Sequence, residues 1–310
     1  DSAISFIRKS IDQHKPFYVQ LHYHAVHDSL HYKAPDKYFD KFNSTSYDLN
    51  NFYAHLYAVD QNLKKIVDSL KSKGVYENTL IIFTSDNGAQ SHGPSVLPGN
   101  APWPGHKGTY YQGGIRVPLF FHWPAQIRDI RSLEIISSTM DIIPTAIAAS
   151  GGEIPSGIDG QSLLDQVVGI SDKPVRDHLI WAGLHSRAWG FWLSTTFKGH
   201  GGERNFAPPA WVVVKDNYIL RFVGEIEPDL YTEIPEGGLP AIRLYNYEAD
   251  PGETNNLSAQ LPEKVKEMSQ LYFAEAVDFP PPVVWRQDKW AEIVPDSNQY
   301  LNPKIRIELQ

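Results

Sequence analysis

The stretch Thr79–Pro118, TLIIFTSDNGAQSHGPSVLPGNAPWPGHKGTYYQGGIRVP, is a strand, a long loop and a second strand, and it leaves few architectures open. Leu80–Phe83 is a short apolar run bounded by turn residues, which predicts a buried strand. It stops at Ser85-Asp86-Asn87-Gly88, so an acid and an amide stand together where a strand meets its loop. Open α/β sheets place ligands at that edge. The loop that follows is rich in Gly, Pro and His and ends in Lys107–Pro118, leading into the apolar run Leu119–Trp123. Loops this long inside a compact domain are commonly functional.

The rest of the chain is organised around that stretch. Residues 1–15 keep helical spacing through Ile4, Ile7 and Ile11 until Pro16. Phe17–Tyr23 has strand composition and runs into His24-Ala25-Val26-His27-Asp28, a second polar cluster at a strand end. Tyr47–Lys73 is the clearest helix, with Leu49, Phe52, Leu56, Val59, Leu63, Ile66, Val67 and Leu70 at steps of three and four, closed by Gly74. Strand, helix and strand between 17 and 85 read as a crossover in a mostly parallel sheet flanked by helices. From about residue 170 short β-rich runs alternate with turns: Leu179–Leu184, Phe191–Leu193, Trp211–Val214, Tyr218–Phe222 and Ile242–Tyr247. We therefore expect an α/β domain over 1–168 and a C-terminal subdomain over 169–310. The latter has antiparallel strands, a helix at 262–276 and an irregular tail from Asp278.

Composition excludes several classes. The chain has 310 residues, 42% hydrophobic, with a net charge of −8 and no basic run, which argues against nucleic acid as a partner. An anionic substrate must then be attracted locally. No run approaches the ~18 apolar residues of a membrane span. There are no cysteines, hence no disulfide, thiolate metal site or Cys nucleophile in these residues.

TSDNG followed by KGTYYQGGIRVP resembles the C-terminal part of the type I, formylglycine-dependent sulfatase family, within the alkaline-phosphatase-like superfamily. Four further stretches agree with it in order. PFYVQLHYHAVHDSLHYKAPDKYFDKF is similar to the family's PFFLYLAYHAPHDPL and PDKY segment, although Ser29 stands where the family often has Pro. Asp141–Thr145 resembles its DI.PT helix, and Asp159–Leu163 its DG.SL segment. Leu244–Leu257 resembles its LYDL..DPGE..NLA signature.

The resemblance implies an alkaline-phosphatase-like fold lacking its N-terminal part, and hydrolysis of a sulfate ester. Asp86 and Asn87 are the implied metal ligands; as hard oxygen donors they suit Ca2+, or alternatively Mg2+. By themselves, Asp-Asn-Gly residues also simply make turns. Lys107 is implied on a sulfate oxygen or beside the leaving oxygen, where a loop lysine elsewhere would be merely solvated. His27 is the implied sulfate-contacting histidine, able to donate to a sulfate oxygen or to the leaving group. His24, His92, His106 and Trp103 are candidate substrate contacts, with ordinary surface roles open to each; His22 is a weaker candidate. Arg116 matches the family's GG.R.P arginine and reads as a tie between loop and sheet.

The family's nucleophile is a formylglycine made from the Cys or Ser of a C/S-x-P-x-R motif, and these residues contain no such motif. The resemblance therefore covers the second part of a sulfatase and implies a missing N-terminal half as partner. The implied substrate is a sulfated carbohydrate or an aryl sulfate. The implied location is periplasmic, extracellular or lysosomal, and sequons stand at Asn43-Ser44-Thr45 and Asn256-Leu257-Ser258. Two alternatives remain open: a phosphodiesterase or phosphonate hydrolase of the same superfamily, and a relative that binds sulfated glycans without cleaving them.

Overall fold

The computed structural model describes residues 2–27, 32–89, 99–184, 209–223, 241–276 and 278–279. Helix α1 (Ser2–Asp12) lies against α3 (Tyr47–Ser72), with the short α2 (Asp36–Phe39) beside α3. Ser46 caps α3, its hydroxyl accepting from the Leu49 amide at 3.2 Å. At the other end Gly74 takes a φ of +68°, the left-handed turn that glycine adopts without penalty. Two side-chain contacts join α1 to α3: Arg8 Nε donates to Ser69 Oγ at 3.0 Å, and Lys73 Nζ meets Asp12 Oδ1 at 2.6 Å.

The expected helix over Tyr47–Lys73 is present, but its buried face differs from the apolar stripe. Asn50, Asn51, Ala54, Val59, Ser69 and Leu70 are buried, whereas Leu56 is exposed. Asn51 is buried because it satisfies loop backbone, accepting from Ala34 N at 2.7 Å and donating to Tyr32 O at 2.8 Å.

Strand β1 (Ile81–Thr84) pairs antiparallel with β2 (Leu119–His122), in the register Ile81↔His122 to Thr84↔Leu119. The parallel crossover expected from 17 to 85 is not formed among the described residues. A strand exists only where a neighbour completes its ladder. Phe17–Tyr23 has none here and leaves Tyr18, Leu21 and Tyr23 exposed.

After β2 a capping box opens the next helix. Ser138 Oγ accepts from the Met140 amide, and the Asp141 carboxylate accepts from the Ser138 amide at 2.8 Å. Helix α5 (Ile142–Ala149) follows, preceded by the four-residue α4 (Gln112–Ile115) of the long loop and followed by α6 (Leu164–Val168). The DI.PT and DG.SL stretches turn out to hold each other. Asp141 Oδ1 accepts from Gln161 N at 2.8 Å, and Thr145 Oγ1 accepts from Leu163 N at 2.9 Å. Arg176 completes the junction with a two-pronged ion pair to the fully buried Asp141, 2.5 Å in each prong.

The C-terminal strands form one antiparallel sheet in sequence order: β3 (His178–Leu184), β4 (Pro209–Lys215), β5 (Tyr218–Val223) and β6 (Ala241–Asn246). Alternation along these strands gives the sheet two covered faces. Trp211, Val213, Leu220, Phe222 and Leu244 face α7 (Pro262–Ala276) and pack on Val265, Met268, Tyr272 and Ala276. Trp211 stacks on Tyr272 with ring centroids 4.3 Å apart. Val212, Ile219 and Tyr245 point the other way and meet Tyr110 and Ile115 of the long loop. The sheet thus sits between its own helix and the loop singled out from the sequence. The strand expected at Phe191–Leu193 and the tail beyond Phe279 lie outside the described residues.

Candidate active site

β1 delivers the chain to Ser85, and local hydrogen bonds then shape the turn. Ser85 Oγ donates to Asn87 O at 2.9 Å, and Asp86 Oδ1 accepts from Asn87 N at 3.0 Å. Asn87 Nδ2 donates to Gly88 O at 2.8 Å. That bond commits the amide nitrogen of Asn87, and its neighbour Asp86 is exposed. Among the described residues no group of three or more His, Cys, Asp or Glu comes together as a metal site. Asp86 and Asn87 stand side by side on the turn, two hard oxygens where a Ca2+ or Mg2+ ion takes six or more.

Gly88 lies flat against Gly113 and Gly114. Its amide donates to Gly114 O at 3.0 Å, and a Cβ built on it would stand 1.7 Å from Gly113 O. The contact is reciprocal across the loop. A Cβ on Gly113 would meet Pro104 O at 2.5 Å, and one on Gly114 would meet Thr109 O at 2.2 Å. Only glycine permits backbone segments to approach this closely.

Lys107 N donates to Ala89 O at 3.1 Å, so the lysine is tied by its backbone to the segment carrying Asp86 and Asn87. Its side chain is half-buried, and none of the ion pairs among the described residues includes it. His106 Nδ1 lies 2.8 Å from Lys107 O. A carbonyl only accepts, so Nδ1 is the donor in this contact. Thr109, buried below, accepts from His106 N at 3.1 Å and donates to His106 O at 2.8 Å.

Asn100 is a residue the sequence reading missed. Its Oδ1 accepts from Ala89 N at 2.7 Å, while its Nδ2 donates to Ala89 O at 2.9 Å and to Gly105 O at 3.1 Å. A lone Asn in a Gly- and Pro-rich loop carries no signal of such a role beyond its turn propensity.

Trp103 has one ring face covered by Arg116, whose guanidinium carbon lies 4.9 Å from the centroid. Arg116 also donates to Gln112 Oε1 at 3.0 Å and approaches the Tyr247 ring at 6.0 Å. This is the expected tie, and it reaches into the C-terminal sheet.

His24 and His27 form a second group on the turn at residues 25–27. Their rings lie 5.3 Å apart, both exposed, and His27 N donates to His24 O at 2.8 Å. His24 also meets the Tyr32 ring edge-on at 6.3 Å. Tyr32 O in turn accepts from Asn51 Nδ2 and His55 Nε2 of α3, each at 2.8 Å. His92 lies outside the described residues.

Residues 1–152 match the Sulfatase family. The uncharacterized sulfatase YdeN of Escherichia coli is 31% identical over 86% of this chain and 48% of its own length. Arylsulfatase J of Mus musculus is 27% identical over 83% of this chain and 44% of its own. A solved structure, Ps i-CgsB in complex with k-i-k-neocarrahexaose, superposes with a TM-score of 0.74 at 23% identity over 97% of this chain and 60% of that one. The chain belongs to the sulfatase family and has its alkaline-phosphatase-like fold. It spans about half the length of the curated relatives it matches.

Proposed function

We propose that the protein hydrolyses sulfate monoesters on a sulfated carbohydrate, and that this chain carries one half of the active site. The observation that carries the proposal is Lys107. It is a half-buried cation with no carboxylate partner among the described residues, and its loop is bonded to the Asp86–Asn87 turn. A half-buried cation held in place by its backbone is suited to an anionic group that arrives with the substrate.

In this reading Asp86 and Asn87 would hold a Ca2+ ion, or Mg2+, completed by ligands outside these residues. The ion supplies charge neutralisation of the sulfate oxygens. Lys107 binds a sulfate oxygen or steadies the negative charge that grows on the leaving oxygen. His27 donates a hydrogen bond to the sulfate or a proton to the leaving alcohol. The formylglycine nucleophile belongs to the other half, because these residues contain no cysteine and no Ser-x-Pro-x-Arg. His24, His106 and Trp103 are candidate sugar contacts, in keeping with a neighbour crystallised on an oligosaccharide. A periplasmic, extracellular or lysosomal location fits this substrate.

The test is sulfate release by the full-length protein with Asp86→Ala or Lys107→Ala. Loss of one such electrostatic contact costs roughly 10²–10³ in kcat. Each variant should lose at least that much while keeping its circular dichroism spectrum. Near wild-type turnover in either would remove that residue from the site.

A further inference from the structure

The loop-facing side of the C-terminal sheet is apolar at Val212, Ile219 and Tyr245, yet it carries one fully buried charge, Arg221 of β5. The guanidinium carbon lies 3.4 Å from the Tyr111 ring centroid and 5.5 Å from that of Tyr245. Its Nη2 donates to Glu253 Oε2, and both side chains are shut off from water.

Glu253 reaches that place through a purpose-built turn. Its φ is +50°, a left-handed conformation that a non-glycine residue adopts only when its surroundings impose it. The Asp250 carboxylate holds the turn, accepting from Thr254 N at 2.7 Å and Asn255 N at 2.8 Å. Asn256 Oδ1 then accepts from Leu244 N at 3.1 Å, and Leu257 N donates to Leu244 O at 2.7 Å, which fastens the turn to β6.

The junction is not optimised for stability. Arg221 Nη1 is buried without a hydrogen-bond partner among the described residues, while Glu253 is held by Gln112 of the loop as well as by Arg221. Burial pulls Arg221 down to about 10 against the attraction of Glu253, and burial pushes Glu253 up against the attraction of Arg221 and its hydrogen bonds with Gln112. A buried pair with open valences is no better for stability than apolar residues of the same size. What it does offer is direction: a planar fork fixed at one end by a carboxylate presents a flat cationic face to one ring.

That ring belongs to the site loop. Tyr111 O accepts from Gly114 N at 2.8 Å, and Gly114 O accepts from Gly88 N at 3.0 Å. Two backbone steps therefore separate the stacked tyrosine from the turn that carries Asp86 and Asn87.

We propose that the Arg221–Glu253 pair is a positioning clamp, in which the guanidinium stacks on Tyr111 and seats the Lys107–Gly114 loop against the Asp86–Ala89 turn. Neither residue of the pair touches substrate; they act through the loop. The consequence for turnover rests on the sulfatase reading above, but the seating of the loop does not.

The experiment is amide hydrogen exchange on the protein with Glu253→Gln and, separately, Tyr111→Ala. The amides to follow are Gly88, Lys107 and Gly113, which donate to Gly114 O, Ala89 O and Pro104 O. Both variants should speed exchange there by about tenfold or more while the amides of α7 and of β4 to β6 keep their rates. Tyr111→Ala leaves the ion pair intact, so it decides the question if Glu253→Gln does not fold. Unchanged exchange at the three amides, or equal acceleration in α7, would overturn the clamp. In the full-length enzyme kcat should fall with the same variants, since a small misplacement far from the chemistry costs about 10²-fold. Arg221→Lys should not preserve kcat, because an ammonium cannot stack and fork at once. Faster exchange with no sulfatase activity even in wild type would keep the clamp and discard the reaction. Faster exchange in an active wild type whose variants retain full kcat would discard the positioning role.

Discussion

Replacing Gly88 by Ala tests the loop geometry most severely. The added Cβ would stand 1.7 Å from Gly113 O and 2.7 Å from Gly113 C, with Asn100 Oδ1 at 3.1 Å. The first two are backbone atoms, which cannot swing aside as a side chain would. The two segments must part by roughly 1.5 Å to restore ordinary contact. That separation breaks the bond from Gly88 N to Gly114 O and pulls on the bond from Lys107 N to Ala89 O. Overpacking costs about 1–3 kcal/mol. A buried amide left without its acceptor adds about 1–3 kcal/mol. The sum, about 2–6 kcal/mol, is a large share of the ~5–15 kcal/mol that stabilises a domain. Urea unfolding of wild type and variant side by side gives the difference. Gly74→Ala is the control: a Cβ there meets nothing within 4 Å, and only its φ of +68° opposes the change, at about 1–2 kcal/mol. If Gly88→Ala were no more destabilising than Gly74→Ala, the close-approach argument would be refuted.

Two other perturbations follow from the structure. Asp141→Ala removes the acceptor for Arg176, Ser138 N and Gln161 N together and strands a buried guanidinium, so it should cost about 3–5 kcal/mol in urea unfolding; a loss below ~1 kcal/mol would contradict the assignment. His178 ties β3 to α7, with Asp177 at 2.6 Å on Nδ1 and Glu275 at 2.6 Å on Nε2. Burial alone lowers its pKa, but the two carboxylates outweigh burial and raise it, so its stabilisation is full below its unfolded value of ~6.5 and is lost as pH rises through the folded value. Asp177, drawn down to about 2 by Lys215 first and His178 next, contributes fully above its unfolded value of ~3.8 and loses that contribution as pH falls from there through about 2. The melting temperature should therefore decline between pH 6 and 8 in wild type, and less so in His178→Gln. Equal slopes would rule the tie out.

Much of this was legible in the sequence, for reasons that particular residues make clear. The helices at 47–72 and 262–276 and the strands of the C-terminal sheet announce themselves by local periodicity and turn residues. Asp86, Asn87 and Lys107 are distant in sequence but marked by motif, and the backbone does bring their segments together. What escaped is non-local. Asp141 meets Arg176 and Arg221 meets Glu253 across more than thirty residues with no periodicity to link them. Asn100 acts through its side-chain amide on Ala89, which no pattern records. Phe17–Tyr23 has strand composition but no ladder among the described residues, because pairing depends on a neighbour and not on propensity alone. Leu56 keeps the helical stripe yet is exposed, while Asn51 is buried by the loop it satisfies.

The most direct test of the central claim compares two products released by the full-length protein that carries this chain. Given a sulfated oligosaccharide and a phosphodiester under the same Ca2+ conditions, it should release free sulfate from the sugar and leave the phosphodiester intact. Cleavage of the phosphodiester in preference, or binding of the sugar with no sulfate set free, would contradict the assignment of this site to sulfate-ester hydrolysis.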